Sequence, residues 1–188
     1  MIWLAILLEV VLLGLALWLC LVIGKLFFVK GYRDYPPFVP SFGQTKKLEF
    51  AKISKLLQKS SVPLTVLDPG CGTADLLIKL AKAFPQHSFV GIEWNKGLYE
   101  TAKFKSRKLT NVTLLCQDMF DYSFVKADII VCFLMAPLME RFGEKIKSEC
   151  KKGVVVFSNT FSIPNLPLTE EIKTRKFLLF GNLYIYKL

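Results

Sequence analysis

Hydrophobic and polar positions divide the chain into three regions. Residues 1–24 are apolar at every position except Glu9. Residues 25–60 are basic and contain one helical pattern, over 45–58, in which apolar side chains recur at intervals of three and four. From there to the end, short β-branched runs alternate with segments of helical periodicity. We therefore expect a transmembrane helix, a basic juxtamembrane linker with one helix, and a single α/β domain over 61–188.

The apolar run at 1–24 has the length of a membrane span. A helix rises about 1.5 Å per residue, so the run matches a hydrocarbon core about 30 Å thick. A cleaved signal peptide would need a basic start, a shorter apolar core and a small-residue cleavage site, and the run has none of them. Glu9 is compatible with protonation in lipid or with contact to a partner. Basic residues follow the run and none precedes it, so the positive-inside rule predicts a single-pass protein with its folded domain on the cytoplasmic side. The sequence has no Arg- and Ser-rich transit segment, which favours a bacterial inner membrane.

The alternating region predicts a mostly parallel sheet covered by helices on both faces. Strands are predicted at 64–68, 87–92, 112–116, 127–133 and 153–158, and helices at 74–84, 95–107 and 136–149, with a loop between 116 and 127. At the end of the chain, TRKFLLF and NLYIYKL flank Gly181-Asn182, which is typical of an antiparallel hairpin with a tight turn. The predicted fold class is therefore α/β, with a parallel core that ends in an antiparallel pair.

Net charge and composition limit the kinds of molecule that the protein is expected to bind. The net charge is +10, and residues 25–60 alone carry eight basic and two acidic residues. Anionic lipid accounts for a basic excess beside an anchor, so a nucleic-acid partner is not indicated. Five cysteines without a CxxC pair and a single histidine, His87, predict neither a metal site nor a histidine-dependent triad. His87 is expected at the surface or at an edge of the sheet.

The segment VLDPGCGTAD predicts a ligand site at the end of the first strand. Asp68, Gly70, Cys71 and Gly72 form a bare turn between a buried strand and a helix N-terminus. Ligands of open α/β sheets bind at the carboxyl ends of the strands, and glycines allow the ligand to approach the backbone. The turn lacks the third glycine of a dinucleotide motif, and an acid before the glycines suits a cationic ligand. Cys71 is expected to be a small residue that fits the turn rather than a nucleophile.

Two further acids end the next two strands. Glu93 is placed to accept hydrogen bonds from a ribose diol, and Asp118 can reach an adenine amino group. Trp94 either flanks the adenine or packs on the sheet, and each acid could instead cap a helix or lie in a loop. Three acids at three strand ends nevertheless point to S-adenosylmethionine (SAM), which carries a sulfonium, an ammonium and a ribose. The cofactor-binding residues predicted in this way are Asp68, Gly70, Cys71, Gly72, Glu93, Trp94 and Asp118.

An apolar segment follows the fourth strand. Methyltransferases that act on amino groups of bases often have Asn-Pro-Pro-Tyr here, whereas this chain has Phe-Leu-Met-Ala-Pro, which argues against base methylation. An apolar channel lowers the pKa of an amine that enters it. Phe133, Leu134 and Met135 could form such a channel, although these residues could simply end a buried strand, and we assign no catalytic residue.

Several segments together resemble one family of enzymes. PPFVPS, VLDPGCGTAD, VGIEWN, CQDMF, FLMAPLMERFGEKIKSE and GVVVFSNTFSIP are similar to the membrane-anchored protein-lysine methyltransferases that include the mitochondrial enzymes modifying the ATP synthase c subunit and the adenine nucleotide translocase. The resemblance implies a Rossmann-like class I methyltransferase fold of seven strands, SAM as the cofactor, no metal, and a lysine of a membrane-associated protein as the acceptor. It also places Pro40 and Ser41 over the cofactor. It adds Met119, beside Asp118, to the cofactor-binding residues, and it gives the candidate channel for the acceptor lysine as Phe133, Leu134, Met135 and Pro137. Met119-Phe120 replaces the family's frequent Leu-Trp, which bears on the choice of substrate.

Three other functions are compatible with the sequence. A small-molecule, quinone or lipid methyltransferase would use the anchor equally well and would need a large apolar pocket. A non-catalytic module with this fold would need a blocked cofactor pocket, against which the intact acids argue. Nucleic-acid methylation would need a contiguous basic face, and the folded domain from residue 61 onward carries only seventeen basic against twelve acidic residues.

Overall fold

The computed structural model describes residues 2–28, 43–174 and 181–188 of the chain. Its contacts define two compact units, Met1–Pro37 and Phe38–Leu188. The first unit contains one helix, α1 (Ile2–Phe28), whose side chains between Val10 and Val22 are exposed. Among the described residues, none of the helices combines the length and the hydropathy needed to cross a membrane. The transmembrane span expected over 1–24 is thus not confirmed.

The second unit is a seven-stranded sheet with helices on both faces. The strands lie in the order β3-β2-β1-β4-β5-β7-β6. The first five strands along the chain pair in parallel, and β7 runs antiparallel between β5 and β6. The α/β class, the parallel core and the antiparallel pair at the end of the chain are therefore confirmed. In chain order the elements are α2 (Gly43–Lys59), β1 (Thr65–Pro69), α3 (Asp75–Ala83), β2 (Ser88–Ile92), α4 (Lys96–Ser106), β3 (Val112–Leu115), a 3-10 turn (Met119–Asp121), β4 (Ile129–Cys132), α5 (Ala136–Glu149), β5 (Val155–Asn159), β6 (Leu168–Lys173) and β7 (Asn182–Lys187).

Alternation along the buried strands builds two separate cores. Successive side chains of a strand point to opposite faces of the sheet. Val66 and Ile129 accordingly pack in the core that contains residues of α2 and α3, whereas their neighbours Leu67 and Ile130 pack in the core that contains residues of α5. Continuous apolar strands are what a parallel sheet covered on both faces requires. The carboxyl ends of β1, β4 and β5 are consequently held as one rigid edge.

His87 lies in the interior, so the expected surface or edge position is wrong. Only 1% of the residue is exposed. The Leu64 N–H donates to His87 Nδ1 at 2.9 Å, and His87 Nε2 lies 3.0 Å from the Leu57 carbonyl oxygen. A neutral ring with its proton on Nε2 satisfies both contacts, since the carbonyl can only accept. The side chain therefore links the last turn of α2 to the chain that enters β1.

The partner of β7 is also displaced from its expected position. The sequence placed this strand at 174–180, of which residues 175–180 lie outside the described residues, and β6 instead occupies Leu168–Lys173. β6 has the sequence LTEEIK, is exposed at five of its six positions and has an irregular register between Leu168 and Glu170. Charged residues and bulges protect a sheet edge from further pairing. Those same features remove the alternating apolar pattern by which a strand is recognised.

Candidate functional site

The turn after β1 is fixed to the neighbouring strand by its backbone. The N–H groups of Gly70 and Cys71 both donate to the Ile92 carbonyl oxygen, at 2.8 and 3.0 Å. Gly70 and Gly72 have φ angles of 81° and 56°, in the left-handed region that favours glycine. A Cβ on Gly70 would also lie only 2.9 Å from Leu134 Cδ2. The turn therefore stays bare for both conformational and steric reasons.

Glu93 joins this turn to the next helix. The residue is 5% exposed, and its two carboxylate oxygens accept from the N–H groups of Gly72 at 2.9 Å and Asn95 at 2.8 Å. Asn95, not Glu93, caps α4, by accepting from two N–H groups of its first turn. A carboxylate has about four lone-pair positions, so Glu93 can still accept from a hydroxyl donor. The expected ribose-binding role of Glu93 stays a prediction, and these contacts give the residue a structural role as well.

Asp68 is buried without a donor. The residue is 8% exposed, and its carboxylate accepts no hydrogen bond from any residue that the structure describes. Burial, reinforced by the charge of Glu93, raises the pKa of Asp68 from 3.8 to about 7, against the opposing effect of Lys46. A buried polar group without a partner is rare and costs free energy. The Asp68 carboxylate is thus prepared for a positively charged or hydrogen-bond-donating ligand.

Glu49 is a site residue that the sequence reasoning missed. It lies on α2 and is 2% exposed, and its Oε2 accepts from Asn159 Nδ2 at 3.3 Å at the end of β5. Burial, followed by the charge of Asp68, raises the pKa of Glu49 from 4.5 to about 8. One signal was present in the sequence, because Glu49 falls between Thr45 and Ile53 on the stripe of α2 that faces the core. We refer to Glu49, Asp68 and Glu93 as the acidic cluster.

Cys71 behaves as a space-filling residue. Its Sγ lies 2.8 Å from the position that a Cβ on Gly91 would occupy, so the absent side chain of Gly91 makes room for it. Burial, with the charges of Asp68 and Glu93, raises the pKa of the Cys71 thiol well above its usual range. A thiol held in this protonated form is a poor nucleophile. The structure thus agrees with the expectation that Cys71 does not react.

The acid after β3 has a local role. Asp118 is half-buried, and its Oδ1 accepts from the Phe120 N–H at 2.9 Å, which caps the 3-10 turn. Met119 is 8% exposed and packs in the core beside α5, whereas Trp94 is 46% exposed. The expected contacts of these three residues with adenine remain predictions.

The apolar segment after β4 belongs in part to the core, and its expected role as a lysine channel stays a prediction. Leu134 is 7% exposed and covers Gly70, so it belongs to the core and reaches the turn. Phe133 and Met135 are half-buried, and Pro137 is exposed in the first turn of α5. Part of the segment is therefore accessible at the surface. Residues 40 and 41, expected to cover the cofactor, lie outside the described residues.

Two other features of the described chain lie apart from this site. A cavity of about 210 Å³ is lined by residues that include Asp128, Lys151 and Gly153, at the amino ends of β1, β4 and β5. It is therefore at the sheet edge opposite the turn. Within residues 2–28, 43–174 and 181–188, no group of histidine, cysteine and acidic side chains has the arrangement of a metal site.

The raised pKa values predict how stability depends on pH. With no cofactor added, the folded state keeps protons on Asp68 and Glu49 that the unfolded state releases near pH 4. Their stabilisation is complete below about pH 4 and is lost as the pH rises through about 7 and about 8. Urea unfolding should therefore give a free energy that falls between pH 5 and pH 9. Glu49→Gln should be more stable than the wild type at pH 9, by on the order of 1–4 kcal/mol, and should differ less at pH 5.

The matched control for this measurement is Glu170→Gln. Glu170 is an exposed carboxylate that pairs with Lys52 of α2 at 2.8 Å, so its loss should give no comparable gain at pH 9. A Glu49→Gln variant that is less stable than the wild type at pH 9 would show that Glu49 is a stabilising ionised group, which contradicts this account.

Comparison with known proteins identifies the family and the fold. The family model described as the ANTKMT methyltransferase domain matches residues 68–170. The curated carboxy-S-adenosyl-L-methionine synthase of Campylobacter fetus is 30% identical over 130 residues, which are 65% of this chain and only 56% of that relative.

Solved structures share the fold at low identity. An RNA methyltransferase from Salinibacter ruber, in complex with S-adenosyl-L-homocysteine, has a TM-score of 0.66 at 17% identity and covers 79% of this chain and 93% of its own. The precorrin-6y C5,15-methyltransferase of Geobacter metallireducens has a TM-score of 0.52 at 15% identity, with 78% and 97% covered. These likenesses confirm the class I methyltransferase fold.

The residues at the turn fit the cofactor of such a domain. SAM carries two positive groups and a ribose diol. The Asp68 carboxylate, which has no donor among the described residues, can accept from a cationic group, the remaining lone pairs of Glu93 can accept from hydroxyls, and Gly70 carries no side chain at the turn. SAM is therefore the cofactor. Because the family model matches more than half of the chain, the protein belongs to the ANTKMT methyltransferase domain family and is a SAM-dependent methyltransferase.

Proposed function

We propose that this protein methylates the side-chain amino group of a lysine on a membrane-associated protein. The observation that carries the proposal is the apolar segment Phe133–Met135 after β4, where base-modifying enzymes place an asparagine and where Leu134 covers Gly70 of the turn. The family match over 68–170 agrees with the resemblance of several segments to protein-lysine methyltransferases. An apolar approach with carboxylates at its end suits a long aliphatic chain that ends in an amine.

The chain contributes positioning rather than a strong nucleophile. When bound, SAM supplies an electrophilic methyl group on a positively charged sulfur. Asp68 would hold a cationic group of the cofactor, and Glu93 would accept from the ribose hydroxyls while it keeps Gly72 in place. Leu134 covers the turn and keeps water from it. In-line transfer between two held groups gains mainly from proximity and from the exclusion of water.

Lysine must lose a proton before it can accept a methyl group. Its reference pKa near 10.4 makes this cost roughly 4–5 kcal/mol at pH 7. An apolar environment disfavours the ammonium and lowers that pKa. Phe133, Leu134 and Met135 would supply such an environment at the end of β4.

A second candidate is a small-molecule, quinone or lipid methyltransferase. The curated relative at 30% identity is named for a small-molecule product, which favours this alternative. The two candidates differ in the product that carries the transferred methyl group: a protein in the first case, and a small molecule or lipid in the second.

We also propose that α1 associates with a bacterial inner membrane and that the folded domain lies on its cytoplasmic side. The helix exposes large apolar side chains around its whole circumference, among them Leu13 at 70%, Leu17 at 64% and Trp18 at 63%. Lipid would bury this surface, and the basic residues of 25–60 would contact anionic headgroups.

Transfer to lysine is tested by labelling. The full chain in detergent is incubated with methyl-labelled SAM and the membrane fraction of its own cells. We expect a discrete labelled protein whose acid hydrolysate contains methyl-lysine. Asp68→Asn should lower the labelling at least about tenfold, because the neutral amide cannot attract the cationic cofactor, whereas Asp121→Asn changes an exposed loop acid and should leave it intact. Label recovered only in the organic extract would overturn the lysine proposal in favour of the second candidate.

Membrane association is tested by fractionation. Leu13→Arg combined with Leu17→Arg should move the protein from the carbonate-washed membrane pellet to the supernatant, since charged side chains are costly in lipid. Leu168→Arg changes an exposed leucine of β6 and should leave the protein in the pellet. A double variant that stays in the pellet would contradict the proposed role of α1.

A further inference from the structure

Glu49 has no part in the mechanism derived so far, although it is among the most buried charged residues described. It lies on α2, before the residues 68–170 that the family model matches. Its 2% exposure places an acidic group in the protein interior. A glutamine at this position could accept the same hydrogen bond without the cost of burying a charge. The carboxyl group therefore needs an explanation beyond the attachment of α2 to the sheet.

The amide that faces Glu49 is held in a fixed orientation. Thr160 Oγ1 donates to Asn159 Oδ1 at 3.0 Å, so Asn159 Nδ2 is directed at the Glu49 carboxylate. Thr160 has a φ angle of 72°, a costly conformation for a β-branched residue. Its N–H donates to the Asn182 carbonyl oxygen at 2.8 Å, which holds this backbone against β7. Strain of this kind is typical of functional sites rather than of ordinary strand ends.

Glu49 lies on the side of the sheet where an acceptor would enter. The strand order reverses between β1 and β4, and ligands of such sheets bind beside that point. The acids assigned to the cofactor follow β1, β2 and β3. Glu49 instead contacts the end of β5 and is coupled to Cys132 of β4, whose thiol pKa is raised chiefly by burial and further by Glu49 and Asp68. It therefore faces the half of the edge that the cofactor acids leave open.

Ionisation of Glu49 is costly on this side of the acidic cluster. The charge of Asp68 adds to the effect of burial on Glu49, because two buried carboxylates repel. Asp68 is more than nine-tenths buried and has no hydrogen-bond donor among the described residues. Lys46, half-buried one turn before Glu49, is the charged group that opposes this repulsion. An alkylammonium group beside Glu49 would offset the repulsion between the two carboxylates.

We propose that Glu49, oriented by Asn159, binds the ammonium group of the methyl acceptor and takes its proton before transfer. The proposal deepens the proposed function and rests on it for the identity of the acceptor as an amine. In the proton step, R–NH₃⁺ and the carboxylate become R–NH₂ and the carboxylic acid. The nitrogen lone pair can then form the new N–C bond as the S–CH₃ bond of SAM breaks; the electron pair of that bond would pass to sulfur and leave S-adenosylhomocysteine, and the proton passes later from Glu49 to water.

Binding of a simple amine tests the site without knowledge of the acceptor. The full chain in detergent is saturated with S-adenosylhomocysteine, which occupies the cofactor's own ammonium position. Calorimetry then measures the affinity for n-butylammonium, with n-butanol as the neutral control. We expect Glu49→Gln to weaken n-butylammonium binding at least about tenfold, because a buried charge pair is lost, and to change the affinity for S-adenosylhomocysteine less than about threefold.

Lys52→Gln is the matched control. It breaks the contact of α2 with Glu170 of β6 at 2.8 Å and leaves the acidic cluster intact, so both affinities should be kept. Equal loss of both affinities in Glu49→Gln would place Glu49 at the cofactor and overturn the proposal. A wild-type protein that binds n-butylammonium no better than n-butanol would also overturn it.

Asn159→Ala gives a second, independent readout. The described groups that face Glu49 and bear on its titration are Asp68, Cys132, Lys46 and the Asn159 amide. The hydrogen bond from Asn159 lowers the pKa of Glu49, so its removal raises that pKa. Binding of n-butylammonium should develop as the pH rises through about 8 in the wild type, and at a higher pH in Asn159→Ala. An unchanged midpoint would contradict the role of Asn159.

The failure of this inference is distinguishable from the failure of the proposed function. If methyl-lysine forms and Glu49→Gln forms it as fast as the wild type, the role of Glu49 is wrong and lysine methylation stands. If no methyl-lysine forms while n-butylammonium binds through Glu49, the site accepts a different amine, and the role of Glu49 stands.

Discussion

Buried carboxyl groups are costly, and this molecule accepts that cost at the edge where its parallel strands end. Among the described residues neither Asp68 nor Glu49 forms an ion pair, and burial raises their pKa values to about 7 and about 8. The rest of the site follows from this constraint. Backbone N–H groups compensate Glu93, an oriented amide partly compensates Glu49, and Asp68 is left for the ligand.

The surrounding backbone and core hold these carboxyl groups in place. A carboxylate that lacks partners would turn towards water if the backbone allowed it. Two N–H groups of the turn are instead fixed to Ile92, and continuous apolar strands hold the edge from both faces of the sheet. Burial of these acids lowers the stability of the folded state, and in return the acids are held in a preorganised electrostatic environment. Group-transfer enzymes use this arrangement.

Much of this architecture could be predicted from the sequence because its signals are local. Helix α5 begins and ends where its periodicity predicted, at Ala136 and Glu149, and the bare turn was recognisable from its two glycines. His87 and Glu49 could not be placed in this way. His87 is buried because two backbone groups distant in sequence, at Leu57 and Leu64, fit its ring.

Glu49 and β6 show two further limits of local patterns. Glu49 stands on the apolar stripe of an otherwise ordinary amphipathic helix, and only its contact with Asn159, 110 positions away, reveals its setting. The first strand of the terminal hairpin was misplaced because an exposed edge strand rich in glutamate has no apolar alternation. Tertiary contacts therefore determine both the burial of Glu49 and the position of β6, and the residues next to them in sequence do not.

Proton release on cofactor binding tests the central claim most directly. The claim is that Asp68 holds a proton until a cation arrives, so a bound cation must lower its pKa and expel that proton. SAM binding to the full chain would be measured by calorimetry near pH 6.5, in two buffers that differ in ionisation enthalpy. We predict net proton release that disappears in Asp68→Asn. Binding of SAM to the wild type with no proton release, or with proton uptake, would contradict the account.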